Sequence, residues 1–249
     1  MAMIGEKKSS YERKRRLSNA GRKRLRSEGN KTLVAETMNR SDETLVAGRK
    51  TDKDWLGCRQ TLVPGANGSA WAAAFESYFR PRLALRYLDP IKVLQDNGKF
   101  QGEGFSIAAI QCTLIEFLES TRLGLKYRYL RNGETLGPYE YCSSKAVFVA
   151  FLRDREPFSK TFTESAAGDF YVGVRCGLLH EAQTKNGWKI LANGPDGIVA
   201  DIKQKFLYRN NFQSALLNYV ESYKCDLLLN AELQSAFLRK FDSLCGVEP

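Results

Sequence analysis

The chain has 249 residues, 43% of them hydrophobic, and a formal net charge of +10. That composition supplies a core for one large domain or two small ones and excludes a wholly disordered chain. Ten of the first thirty residues are Lys or Arg against three Glu, a net of +7, whereas residues 51–249 carry only +2, so the basic excess is a property of one end.

Residues 1–53 combine low hydrophobicity, a dense charge run and no large aromatic after Tyr11. Such a segment buries too little surface to offset its ordering entropy and reads as a basic, largely flexible N-terminal arm. Thr-Leu-Val-Ala at 32–35 recurs at 44–47, too short a copy to make a repeat architecture. Residues 54–249 form the folded domain. Apolar periodicity there predicts helices over 69–80, 90–96, 105–122, 143–154, 163–184, 211–225 and 229–243, punctuated by Pro64-Gly65, Asp89-Pro90, Asn132-Gly133, Gly137-Pro138 and Gly194-Pro195. In 105–122, Ile107, Ile110, Leu114 and Leu118 share a stripe, and Ala109, Cys112, Thr113 and Glu116 lie opposite, which predicts packing on two sides. Between 184 and 210, the Asn186-Gly187 turn, Trp188-Lys-Ile190, the Gly194–Gly197 turn and Ile198-Val-Ala200 predict a small β-hairpin inserted among helices. The expected fold is mainly α, a helical bundle with that β-hairpin insertion.

Several chemistries lack their residues. The six cysteines are at least twenty positions apart, without a C-x-x-C pair and with a single His to join them, so no zinc site is expected. Gly102-Glu-Gly104 lacks the third glycine of a dinucleotide loop, and no phosphate-loop string is present, so no cofactor is expected. The apolar stretches near 105–118 and 170–179 are interrupted or too short to span a bilayer, and the N-terminus lacks the apolar stretch of a secretory signal. The expectation is a soluble cytoplasmic protein with reduced thiols and no membrane partner.

The sole histidine, His180, confines any imidazole chemistry to one address. It follows Arg175 by five residues on a predicted helix whose only charged residues from 166 to 179 are Asp169 and Arg175. A guanidinium on such a helix needs an anion or acceptor. A substrate phosphate fills that need; so does a structural carboxylate such as Glu116 or Asp169. On an ideal helix Asp169, Gly173, Gly177 and His180 share a sector, and Arg175 points roughly 140° away from His180. Convergence of the pair on one anion therefore requires a kink near Gly177 or a second subunit. Two further segments alternate basic and aromatic residues, Lys126-Tyr-Arg-Tyr-Leu-Arg131 and Lys203-Gln-Lys-Phe-Leu-Tyr-Arg209. Lys126, Arg128 and Arg209 are candidate substrate-binding cations there, although an edge strand with one wet face shows the same alternation.

The Arg-x-x-x-x-His pattern, within Val-Arg-Cys-Gly-Leu-Leu-His-Glu-Ala182, resembles the HEPN superfamily of prokaryotic ribonucleases and toxins, in particular a plasmid- or phage-defence branch. Many members carry Asn, Asp or His where this chain has Cys176. The resemblance implies a HEPN-like helical bundle and a metal-independent endoribonuclease, acting as a homodimer on RNA and leaving 2′,3′-cyclic phosphate and 5′-OH ends. In it Arg175 would bind the scissile phosphate and His180 would act as base or acid. It further implies a toxin or antiphage effector, with an antitoxin or defence-system protein as its partner. The alternative is a non-catalytic helical dimerisation module that binds nucleic acid through its basic arm.

Overall fold

The computed structural model describes residues 43–66, 68–98 and 102–247. The basic stretch at 1–42 lies outside the described residues. The main compact unit begins at Leu45, upstream of the expected boundary at residue 54. Strands β1 (Leu45–Ala47) and β2 (Lys50–Thr51) pair antiparallel and lead into α1 (Asp52–Arg59). Val46, Ala47 and Trp55 are fully buried, so this short apolar stretch belongs to the core rather than to an arm. Thr51 accepts from the Asp54 N–H while the Asp54 carboxylate accepts from the Thr51 N–H, a reciprocal cap that fixes the start of α1.

The fold is mainly helical. α2 (Gly68–Ala74), a π-helical turn (Phe75–Phe79), α3 (Arg80–Leu83), a second π-turn (Ala84–Leu88) and α4 (Asp89–Asp96) follow without a break. The sequence suggested an interruption at Asp89-Pro90, yet helix continues through both Pro81 and Pro90. Each proline stands two residues past a π-turn. A proline ring clashes with the carbonyl four residues earlier, and a widened turn makes room for it.

Central α5 (Glu103–Leu123) packs against α4, α6 (Ser144–Asp154), α9 (Arg209–Leu229) and α10 (Ala231–Leu244). Burial of Ile107, Ala108, Cys112, Leu114, Ile115 and Leu118 shows why both of its sides are apolar. α5 ends at Gly124, whose backbone is left-handed and so close to Ala236 that a Cβ would meet its backbone at 2.7 Å. The core is aromatic. Phe148, Phe170 and Phe212 stack in sequence, Phe151 meets Tyr219 edge-on, and Phe237 stacks on Phe241. Inside it, fully buried Glu119 accepts two bonds from Arg155 at 2.6 and 2.9 Å.

The β element differs from the expected hairpin. β5 (Lys189–Leu191) lies parallel to β7 (Phe206–Tyr208), and β6 (Ala200–Asp201) lies antiparallel to β7 on its other side. The two segments expected to pair with each other are thus separated by a third. Lys205, at φ 58°, makes the tight β6–β7 turn instead. Among the described residues, no helix is long and apolar enough to cross a membrane.

Candidate functional site

Arg175 and His180 lie on one helical run of three parts: α7 (Glu164–Phe170), a π-turn (Tyr171–Cys176) and α8 (Gly177–Glu181). Thr163 caps its start, accepting from the Ala166 N–H. No proline accounts for this third π-turn. Its cause is a donor entering from outside the helix. The Lys185 N–H takes the Gly173 carbonyl at 2.7 Å, and the Gly177 N–H, its partner in an uninterrupted α-helix, bonds the Val174 carbonyl instead.

The incoming segment is the chain's own reversal. Ala182 (φ 53°), Asn186 (φ 56°) and Gly187 (φ 83°) turn the backbone, and Trp188 returns into the helix it left. A Cβ on Gly173 would meet Trp188 at 2.3 Å, and one on Gly177 would meet the Gln183 carbonyl at 2.5 Å. Trp188 is buried, edge-on to Phe170, and donates to Asp169 at 2.9 Å; Lys205 pairs with the same carboxylate at 3.1 Å. The Asp169–Gly173–Gly177 sector is therefore filled by residues 183–188. It is not a face open to a second helix, and Asp169 is not the partner of Arg175. The hydrogen bonds from Lys205 and Trp188 hold the Asp169 carboxyl below its ordinary range, although burial opposes them.

Arg175 faces Glu116 of α5, with Nη2 3.7 Å from Oε2 and both side chains about one-fifth exposed. That is an ion pair beyond hydrogen-bond length. Glu116 Oε1 already accepts from the Tyr141 hydroxyl at 3.0 Å and from Ser144 Oγ at 2.8 Å. The guanidinium lies over the Tyr171 ring, 5.3 Å from its centroid. Among the described residues, none of the five Arg175 donors makes a hydrogen bond, whereas Arg155 binds Glu119 through two. Arg175 is held by charge and by an aromatic face, and its directional bonding capacity is unspent.

His180 is exposed on α8 and makes no hydrogen bond or ion pair among the described residues. Its neighbour Glu181 is taken by Lys185 at 3.0 Å. Val172 and Leu179, 42% and 61% exposed, sit on either side of Arg175 along the run. The π-turn between Tyr171 and Cys176 interrupts the regular helix just before Gly177.

The remaining predicted cations fall in two places. β3 (Lys126–Tyr127) and β4 (Glu140–Tyr141) form a parallel pair at the C-terminal end of α5. Lys126 is exposed, and Arg128 is engaged by Glu140 at 3.0 Å and Glu134 at 3.4 Å. This pair adjoins the Arg175 cluster through Tyr141. Arg209 does not. It is tied to Glu103 at 3.2 Å at the start of α5, roughly 20 Å along the helix from Glu116, and its side chain is 13% exposed. It links the start of α9 to the start of α5. Tyr141, Ser144 and Tyr171 complete the site and were not singled out from sequence; the Ser143-Ser144 start of a helix beside an isolated inner acid was the available signal. No group of three or more His, Cys, Asp or Glu among the described residues is placed to hold a metal ion. No family model, curated protein or solved structure matches this chain.

Proposed function

We propose that the chain is a HEPN-type endoribonuclease in which Arg175 binds the scissile phosphate and His180 transfers a proton. The observation that carries this reading is the Arg175 guanidinium, positioned over Tyr171 and beside Glu116 with its donors unspent, one turn and a half from an exposed, unpaired imidazole. In the reaction the ribose 2′-oxygen attacks phosphorus and the bond to the 5′-oxygen breaks. The proton lost from the 2′-OH is balanced by one gained at the leaving oxygen, giving 2′,3′-cyclic phosphate and 5′-OH ends. Arg175 stabilises the charge that develops on the phosphoryl oxygens. One imidazole serves as base or as acid, so the second role falls to His180 of a second copy, docked beside exposed Val172 and Leu179. A toxin or antiphage effector is the corresponding biological setting.

One observation favours a competing reading. The Glu116 contact satisfies the charge of Arg175 without any substrate, as expected of a structural arginine in a non-catalytic module. Initial rates on structured RNA in EDTA separate the two. Under the enzyme reading Arg175→Ala and His180→Ala each lose about a hundredfold or more. Equal rates in wild type and His180→Ala, or no cleavage by wild type, overturn it.

A further inference from the structure

The segment from β3 to β4 exposes rings that a core would normally recruit. Tyr127, Tyr129 and Tyr139 are 49%, 77% and 44% exposed. Two of the three are held in place: Tyr127 packs edge-on to Tyr141 at 5.5 Å and Arg239 lies over Tyr139 at 4.0 Å, while Tyr129 stands out from the surface. The Lys126 and Arg128 N–H groups bond the Tyr139 and Tyr141 carbonyls, fixing the backbone that presents them.

The charge of this surface is one-sided. The two carboxylates between residues 126 and 145, Glu134 and Glu140, are both paired with Arg128. Exposed Lys126, Arg131 and Lys145 make no ion pair among the described residues. Free cations beside outward-facing aromatic rings suit a polyanion that also offers flat apolar faces, and a nucleic acid whose bases are unstacked offers both. A duplex hides its base faces, so its phosphates alone would be recognised. The surface reaches the candidate site in three contacts, from Tyr127 to Tyr141, from Tyr141 to Glu116 and from Glu116 to Arg175.

We infer that the surface formed by residues 126–145 is a stacking platform for single-stranded RNA, with bases on Tyr129 and its neighbouring rings and phosphates on Lys126, Arg131 and Lys145, leading the strand toward Arg175. The inference deepens the ribonuclease reading and rests on it for the choice of RNA.

The test uses the full chain and a 4-thiouridine-bearing oligonucleotide whose 2′-O-methyl groups prevent cleavage, with photo-crosslinks mapped by mass spectrometry and affinity followed by anisotropy. The expected crosslinks fall on the peptide carrying Tyr127 and Tyr129. Tyr129→Ala weakens single-strand binding about fivefold or more, Tyr129→Phe binds like wild type, and the matching duplex is insensitive to both. Crosslinks found only elsewhere, including the basic N-terminal stretch, overturn the inference. So does Tyr129→Ala binding within twofold of wild type. A fall in oligomer mass in Tyr129→Ala also overturns it, by giving the surface to a second copy. Crosslinking without any RNA cleavage by wild type sinks the ribonuclease reading and leaves the platform standing; cleavage without these crosslinks does the reverse.

Discussion

The Lys185 N–H donates to the Gly173 carbonyl at 2.7 Å, and this bond between a loop and a helix sets the course of the helix that carries both motif residues. It diverts a carbonyl from the α-helical ladder, widens the turn holding Arg175 and secures the reversal that brings Trp188 onto Gly173. The glycines are thus explained by the chain's own packing.

Substitution at Gly173 tests this. In Gly173→Ala the new methyl meets Trp188 at 2.3 Å, and backbone and ring must separate. The expected loss is about 1–3 kcal/mol, read as a lower urea midpoint with an earlier change in tryptophan emission. Unchanged stability contradicts the packing described.

Glu116→Gln separates a structural Arg175 from a phosphate-directed one. The amide oxygen still accepts from Tyr141 and Ser144, but the negative charge beside Arg175 is gone. If Arg175 serves phosphate, the affinity for RNA rises by roughly two- to tenfold, in line with losing one competing ion pair of about 0.5–1.5 kcal/mol. A lower melting temperature with unaltered affinity supports the structural role.

The buried pair Arg155–Glu119 predicts an asymmetry. Arg155→Ala strands a fully buried carboxylate and costs about 3–5 kcal/mol, whereas replacing both residues by leucine costs much less. Denaturation of wild type and the two variants decides it, and equal losses contradict the expectation.

Lys240 gives a dependence on pH. It is buried, donates to Ser120 Oγ at 2.8 Å and to the Leu125 carbonyl at 2.9 Å, and its pKa is pushed down to about 8, chiefly by burial and then by Arg82. Between about pH 8 and 10.5 the unfolded chain holds this proton and the folded chain does not, so the contribution of Lys240 to stability rises with pH in that window. Buried Cys112, its thiol pushed up to about 12 by burial, acts in the opposite sense above its ordinary value. The difference between wild type and Lys240→Met isolates the lysine. A difference that is flat from pH 7.5 to 10.5 contradicts the assignment.

Helix positions were legible because long apolar stripes report burial directly: α5, α6, α9 and α10 fall where the periodicity puts them. Pro90 misled because the π-turn that accommodates it has no local signature. The β pairing misled because β5 meets β7 across a non-local parallel contact. At the site, the sequence offered Arg175, His180 and Glu116. It did not tell Glu116 from Asp169 as the neighbour of Arg175, since that choice depends on Trp188 and Lys205 occupying Asp169. The pairing of Arg209 with Glu103 joins residues far apart in the chain, and its local pattern does not signal it.

Joint action of Arg175 and His180 on an RNA phosphate, as proposed, leaves its signature in the ends of the products. Wild type and His180→Ala, matched in concentration and in EDTA, are incubated with one defined single-stranded RNA and the fragments are weighed by mass spectrometry. The expected result is 2′,3′-cyclic phosphate and 5′-OH fragments from wild type and intact RNA from His180→Ala. Fragments with 5′-phosphate ends, or the same fragments from both proteins, contradict it.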